Sequence, residues 1–562
     1  MEPIWLAHYD KGVPAHLTYP DGPLQDLLET AAHTHPDNIA TIFFGSRMTY
    51  REINDEANRL AHALQKLGIG KGDRVALVLP NCPQFVVSYY AVLKAGGIVV
   101  PTNPTYKPRE FQHQFADAGV RLVITLNLFV PAIQEIQPET AITDIIVARI
   151  QDYLPTMLSY LYPIKEKREG TAVHVTPGPG IHDFCTLIRA TSPDYTPVPV
   201  AQTDLAVLQY TGGTTGTSKG AMLTHRNLIA NTLQVRSWLP DVREDGSEVF
   251  MAVTPFFHVY GMTVVMNFAI VTAAAMVLLP RFNTKEVLHS IQRHKASTFG
   301  GVPTMYIAIN NFPEIKKYRL SSVKACISGA APLPLEVAQQ FEELTGGRLR
   351  EGYGLTEAAP VTHCNPIYGT PKTGSVGLPF PDVEAKVVDP QDAHDLAQGE
   401  IGELAIRGPQ VMAGYWNRPE ESANVLRDGW LLTGDMGRMD DDGFFYIVDR
   451  KKDIIIAAGF NIYPREVEEV LYEHPAVKEA VVAGVPDAYR GETVKAYIVL
   501  KEGETATADA IIAFCRERLA GFKAPRIVEF RESLPKSLIG KHLRRVLIEE
   551  ERAKLAAPVA VP

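Results

Sequence analysis

Small residues, hydroxyls and one lysine fill the stretch YTGGTTGTSKG at residues 210–220, and these are the materials of a phosphate cradle. Glycines let backbone N–H groups approach phosphate oxygens, hydroxyls donate to them, and an ammonium supplies compensating positive charge. The spacing excludes a P-loop, which needs a hydroxyl residue directly after its lysine: Lys219 is followed by Gly220, and Gly216 lies three residues before it. Four other stretches carry candidate groups: PFFHVYG around His258, EGYGLTE at residues 351–357, TGD at residues 433–435 and PKSLIGKHLRR at residues 535–545. Each also has a plainer reading, respectively a satisfied core histidine, a core tyrosine, a turn and a solvated basic run. The five cysteines (Cys82, Cys185, Cys326, Cys364, Cys515) form no CxxC pair and have no histidine at ligand spacing, which suggests reduced thiols.

Alternating helices and short apolar strands must position these groups. Thr49 and Glu52 make a capping box, and Ile53, Ala57, Leu60, Leu64 and Leu67 then recur at helical spacing up to Gly68. DRVALVLP reads as a buried strand, PQFVVSYYAVLKAGG as a helix and IVVPTNP as a strand, and the rhythm returns in VRLVITL and KASTFGGVP. This alternation implies sheets covered by helices on both faces. Residues 151–200 are rich in Pro, Gly and Tyr and read as a connecting surface segment. After Gly374 come short runs with Gly and Asp turns (AKVVD, GELAIRG, GWLLTGD, GFFYIVD), the pattern of an antiparallel sheet or small barrel. A charge cluster, DRKKD, precedes a compact last section of helix, two strands and helix, which sets a domain boundary at residues 450–453. The expected domains are residues 1–450 and 451–562.

The composition is that of a soluble globular protein: 562 residues, 46% hydrophobic and 21% charged, long enough for two or three lobes. A formal net charge of −9 gives no general attraction to nucleic acid, which is not expected as a partner. The opening MEPIWLAHYDKG lacks the basic and apolar regions of a secretory signal. Residues 259–280 carry no charge and are long enough to span a bilayer, but Gly261, Thr263, Asn267 and Thr272 interrupt them, so they read as a buried helix and strand.

Six blocks occur in one order: YTGGTTGTSKG, SGAAPLP at residues 328–334, EGYGLTE, TGD, DRKKDIIIAAGFNIYPREVE at residues 449–468 and PKSLIGKHLRR. Together they resemble the adenylate-forming family of acyl-CoA synthetases, luciferases and peptide-synthetase adenylation domains. The double glycine of YTGG, MLTHRN after it, WLAHYDKGVP and RKKDIIIAAGFNIYPREVEEVL are similar in particular to bacterial long-chain fatty-acid–CoA ligases, nearly end to end.

The resemblance implies a large N-terminal α/β domain of two helix-covered mixed sheets with a small β-barrel-like lobe, then a small mobile α+β domain. It implies ATP, Mg²⁺ and CoA as co-substrates or cofactors. The nucleotide site would comprise Tyr210, Thr211, Gly212, Gly213, Thr214, Thr215, Gly216, Thr217, Ser218, Lys219 and Gly220. Ser328, Gly329, Ala330 and Ala331 would wall the adenine, and Gly352, Tyr353 and Gly354 would carry the ring that stacks on it. Thr356 would touch the α-phosphate, Glu357 with Thr214 would hold Mg²⁺, an oxygen-ligand task, and Asp435 with Arg450 would bond the ribose hydroxyls. His258 would lie near the substrate carboxylate, Lys541 would stabilise charge in adenylation, Lys452 would be the hinge, and Gly459 would border the CoA tunnel. Two departures from the pattern, Gly212 for Ser or Thr and Ser218 for Pro, remove neither a charge nor a metal ligand.

The implied reaction joins a fatty acid to CoA through acyl-AMP, with the acyl tunnel near residues 258–275 and 300–306. Medium-chain or aromatic acids remain an alternative, as does a non-enzymatic fatty-acid-binding or transport-associated relative, which intact Glu357 and Lys541 disfavour. A carrier-protein partner is disfavoured because no domain is appended after the LRR motif. The expected location is the cytoplasm, with peripheral membrane contact at the inner face and a homodimer both left open.

Overall fold

The computed structural model describes residues 3–211, 218–457, 460–487, 490–536 and 542–556. The chain divides into two compact units, Met1–Glu384 with Arg407–Leu431, and Ala385–Ile406 with Leu432–Pro562.

The first unit contains two large sheets. One has seven strands, in the order Ile181–Asp183, Asp144–Ala148, Val120–Leu126, Arg74–Val78, Ile98–Pro101, Leu205–Thr211 and Lys219–Thr224. Its neighbours run parallel except the last pair. The strand Arg74–Val78 is buried at four of five positions, as a central strand covered on both faces should be. The second sheet has nine strands, in the order Leu378–Pro379, Val361–Cys364, Arg348–Gly354, Ala325–Ser328, Thr298–Phe299, Val249–Ala252, Ala275–Leu278, Ile39–Phe43 and Ser46–Thr49. Its centre is parallel and its edges are antiparallel.

The helix Tyr50–Lys66 begins on the expected capping box, with Thr49 accepting from the Glu52 N–H, and it buries Ile53, Ala57, Leu60 and Leu64. The helix Pro83–Lys94 is buried at every position. The uncharged stretch folds inside this unit as a π-helix over Gly261–Asn267, a helical turn over Phe268–Val271 and the strand Ala275–Leu278. Residues 151–200 are more ordered than their composition suggests, because they hold the helices Thr156–Glu169 and Phe184–Ala190 and the edge strand Ile181–Asp183. Their regularity was hidden because the first helix buries none of its residues, so no core-facing pattern is imposed on it.

In the second unit, Trp430–Met439 pairs antiparallel with Phe445–Arg450, within a five-stranded sheet that includes Glu384–Val388 and Gly402–Arg407. The short alternating runs after Gly374 therefore form the expected antiparallel sheet. The last section is a second five-stranded sheet around the long pair Val477–Asp487 and Gly491–Leu500, packed by the helices Pro464–Tyr472 and Ala508–Arg518. Its core includes Ile462, Val467, Leu471, Val482, Ala496, Ile498, Ile511 and Cys515. All five cysteines are free thiols.

Candidate active site

In the first unit, the strands Ala325–Ser328 and Arg348–Gly354 run parallel, with Ser328 opposite Glu351. SGAA therefore leaves the C-terminal end of one strand beside the Gly352, Tyr353 and Gly354 end of the next, the place where open α/β sheets bind ligands. The Ser328 hydroxyl is buried without a hydrogen-bond partner among the described residues, Ala330 has a φ of +70°, and Ala331 follows half-buried. The Leu333 N–H donates to Glu351 at 3.1 Å, which fixes the loop to the neighbouring strand. The Tyr353 ring meets His363 edge-on at 5.8 Å, and His363 is held neutral by burial, its pKa lowered to about 3.

Thr356 and Glu357 begin the 3₁₀ turn Thr356–Ala358 directly after this strand, and both are half-buried. The Glu357 backbone carbonyl accepts from the Met412 N–H at 2.8 Å. Its carboxylate accepts from the Tyr415 hydroxyl at 2.7 Å. Burial and that carboxylate raise the Tyr415 pKa, so the phenol keeps its proton and donates.

Lys219 reaches the same place from the seven-stranded sheet. Its strand carries the segment 413–416 alongside it: the Met222 N–H donates to Gly414, the Ala413 N–H to Met222, and the Trp416 N–H to Gly220. The Lys219 ammonium lies 5.3 Å from the Tyr415 ring centroid and pairs with the Glu421 carboxylate. Lys219, Tyr415 and Glu357 thus form one continuous cluster of a cation, a phenol and a carboxylate. Ser218 is fixed through its carbonyl, which accepts from the His113 ring at 3.2 Å. Gly220 packs closely, since a Cβ there would fall 3.1 Å from the Tyr210 ring. Tyr210 is buried and donates its hydroxyl to Asp117 at 2.6 Å, and Thr211 ends its strand opposite Lys219. Gly212, Gly213, Thr214, Thr215, Gly216 and Thr217 lie outside the described residues.

His258 sits on a second wall. Asn81 holds its loop by donating to the Ala252 and Thr254 carbonyls and accepting from the Phe256 N–H, and Gln209 donates to the Phe257 carbonyl at 2.9 Å. Burial lowers the His258 pKa to about 4, so the imidazole is neutral at ordinary pH and offers a hydrogen bond rather than a positive charge. Two residues on, Tyr260 donates to the Ile327 carbonyl at 2.7 Å, which ties this wall to the strand that ends at Ser328. A Cβ on Gly300 would lie 3.1 Å from Val265 and 3.5 Å from the Tyr260 hydroxyl, so the two stretches expected to line an acyl tunnel are neighbours.

The second unit brings Asp435 and Arg450 together. They are opposite each other in the antiparallel pair, with Arg450 Nε 3.4 Å from the Asp435 carboxylate. Lys452 lies in the 3₁₀ turn Lys451–Asp453, and burial lowers its pKa to about 8. Beside it Arg544 is pinned by Asp453 at 2.7 Å, Glu468 at 2.8 Å and Asp449 at 3.6 Å. Gly459 and Lys541 lie outside the described residues.

Sequence reasoning missed Tyr415, Glu421, His113 and Asp117. They are distant from the motifs they support, and only the tyrosine in AGYWNRPE, a polar aromatic between turn residues, offers a signal.

The model of the AMP-binding enzyme family matches residues 28–416, and that of the AMP-binding enzyme C-terminal domain matches residues 466–541. A long-chain-fatty-acid–CoA ligase of Bacillus subtilis is 51% identical over 97% of this chain and 98% of its own. A ligase of the same name from Salmonella typhimurium is 40% identical over 99% of both chains. Among solved structures, ATP-bound MatB from Rhodopseudomonas palustris superposes with a TM-score of 0.83 at 30% identity, covering 94% of this chain and 98% of that one. An anthranilate CoA ligase in complex with anthranoyl-AMP gives a TM-score of 0.83 at 28% identity, covering 96% and 99%. With both family models matched in order along its length, the chain belongs to the AMP-binding enzyme family.

Proposed function

We propose that the protein is an AMP-forming long-chain fatty-acid–CoA ligase. The observation that carries this reading is end-to-end identity of 51% and 40% to two ligases of that name. In the first half-reaction a fatty-acid carboxylate oxygen attacks the α-phosphorus of ATP, a P–O bond forms and pyrophosphate leaves. In the second, the CoA thiolate attacks the acyl carbonyl and AMP departs with the electron pair of the broken C–O bond. The adenylate gives the carboxyl a leaving group that the thiol can displace.

The residues take the following roles. Lys219 offsets charge on the departing pyrophosphate beneath the 212–217 loop. Tyr353 stacks on adenine against Ser328, Gly329, Ala330 and Ala331, and Asp435 with Arg450 bonds the ribose. Thr356 contacts the α-phosphate. Glu357 suits Mg²⁺, which keeps several waters and takes one or two carboxylates together with substrate phosphates; Thr214 is the second protein ligand, and the ion neutralises phosphate charge when bound. The one three-group cluster of metal-ligating side chains among the described residues, Asp389, Asp392 and His394, does not include Glu357, so a substrate-completed site fits better than a protein cage. Neutral His258 orients the substrate carboxylate near the thiol entry. Lys541 stabilises charge in adenylation, Gly459 leaves room for pantetheine, and Lys452 is the hinge. The enzyme works in the cytoplasm and meets its substrates at a membrane surface.

Lys541→Ala tests the assignment. Acyl-adenylate formation is expected to fall at least ~10²-fold, by analogy with loss of a preorganised donor, while thioester formation from supplied acyl-AMP falls much less. Equal loss in both assays removes the role. A second reading, a ligase for aromatic acids, is favoured by the anthranilate and benzoate ligases among the structural neighbours and by a feruloyl-CoA synthase 35% identical over 91% of this chain. AMP release over a panel of aromatic, medium-chain and long-chain acids separates the two.

A further inference from the structure

The helix Thr156–Glu169 turns a short apolar stripe toward solvent over its N-terminal half, ahead of the charged residues at its C-terminal end. Met157, Tyr160, Leu161 and Ile164 follow the i, i+3, i+4, i+7 spacing of a single stripe. That stripe is 72%, 79%, 51% and 65% exposed, with Leu158 at its border 39% exposed. The less exposed positions, Ser159, Tyr162 and Glu166, lie on the opposite face. The polar face therefore meets the protein and the apolar face meets solvent. Five exposed large apolar side chains within residues 157–164 form a continuous patch, whereas single exposed apolar residues elsewhere need no explanation.

The charges are sorted too. At 100° per residue, Lys165 and Lys167 project on either side of the apolar stripe and Arg168 continues it by one turn, while Glu166 and Glu169 point to the other half. An apolar stripe rimmed by cations is complementary to a bilayer surface bearing anionic headgroups. A bilayer accounts for both the stripe and its cations, whereas antiparallel pairing with a second copy would bury the stripe and leave the cations at the far ends beside uncharged residues.

We propose that Thr156–Glu169 seats the protein on an anionic phospholipid surface. Met157, Tyr160, Leu161 and Ile164 enter the boundary between headgroups and acyl chains, and Lys165, Lys167 and Arg168 contact lipid phosphates. The proposal deepens the fatty-acid–CoA ligase reading and rests on it, since a long-chain acid partitions into the same surface from which the enzyme would draw it.

Flotation of the full-length protein with phosphatidylcholine vesicles, and with vesicles containing one quarter phosphatidylglycerol, tests this. The wild type is expected to bind the anionic vesicles more tightly and to lose that preference as salt rises. Leu161→Ser with Ile164→Ser should lower the partition coefficient roughly 100-fold, the loss expected for two buried aliphatic side chains. Lys165→Gln, Lys167→Gln and Arg168→Gln together should abolish the anionic preference and leave weak binding to both vesicles. Failure of the wild type to bind either vesicle overturns the proposal, as does binding of the Ser variant at the wild-type level. Absence of vesicle binding together with a dimer that the Ser substitutions dissolve would assign the stripe to a second copy instead. Turnover of octanoate, dissolved without vesicles, should match the wild type in every variant, which shows that they fold. A wild type that floats with vesicles but activates no fatty acid would leave the membrane contact standing and overturn the ligase reading.

Discussion

At the scale of single residues, Glu357 and Tyr415 act as a pair although 58 positions separate them. The phenol fixes one carboxylate oxygen, and Lys219 lies over the same ring. Tyr415→Phe removes only the donor. A hydrogen bond to a charged group contributes about 1.5–3 kcal/mol, so kcat/KM for ATP should fall roughly 10- to 150-fold, with part of the loss recovered at high Mg²⁺. ATP–pyrophosphate exchange across a magnesium series measures it, and an unchanged magnesium dependence would separate Tyr415 from the metal site. The buried histidines give a second residue-level test. The Leu24 N–H donates to His225 Nδ1 at 3.0 Å, which requires that nitrogen unprotonated, and burial lowers the pKa from 6.5 to about 4. Between those values the unfolded chain binds the proton and the folded one does not, so the stability tied to neutral His225 is complete above pH 6.5 and is lost as pH falls toward 4. Glu56 and Asp152 run the other way, with pKa values raised by burial to about 7 and about 6, so the test is a difference between variants. His225→Gln keeps an acceptor without a titrating group, and its urea midpoint should drop less than the wild type's between pH 7 and pH 5. Glu357 and Lys219 were legible because they stand inside short motifs, whereas Tyr415 and Glu421 meet them only through the pairing of the 413–416 segment with the Lys219–Thr224 strand.

At the scale of elements, alternation of apolar runs with capped helices was enough to foresee helix-covered sheets, and the uncharged 259–280 stretch was readable as core. Its form was not, because a π-helix has the same apolar composition as an α-helix. What fixes that element is space. A Cβ on Gly261 would lie 2.3 Å from the Pro255 carbonyl oxygen and 2.6 Å from that of Thr254, both backbone atoms of the loop that carries His258. Gly261→Ala must therefore push the π-helix away from the loop, and overpacking of this kind costs about 1–3 kcal/mol. Denaturant unfolding should report that loss together with reduced adenylation, since the same displacement moves His258. A variant as stable and as active as the wild type would show that the loop yields without cost. The helix Thr156–Glu169 escaped the sequence reading because Pro163 lies inside it and Arg168 interrupts its short apolar stripe, which leaves little helical periodicity over its full length.

At the scale of the whole molecule, the proposed reaction has two successive steps carried out by one chain. The strand Phe445–Arg450 delivers Arg450 to Asp435 and then passes straight into the turn that contains Lys452. Lys451 beside it is held by Glu403 at 2.8 Å, and Asp453 by Arg544 at 2.7 Å, so charged contacts anchor both neighbours of Lys452. A backbone change confined to a few residues is the usual form of domain closure, and Lys452 lies between the two anchors. Proline fixes φ near −65°, a value a 3₁₀ turn already uses, so Lys452→Pro should preserve the present conformation while preventing the proposed hinge motion. CoA-dependent turnover is then expected to fall at least ~10²-fold, the scale of loss when reacting groups are held out of place. One half-reaction, measured alone as pyrophosphate exchange or as thioester formation from supplied acyl-AMP, should persist near the wild-type rate, and the one that persists identifies the trapped state. Equal loss of both would point to misfolding, which a thermal melt would reveal, and unchanged turnover would place the pivot elsewhere in the chain.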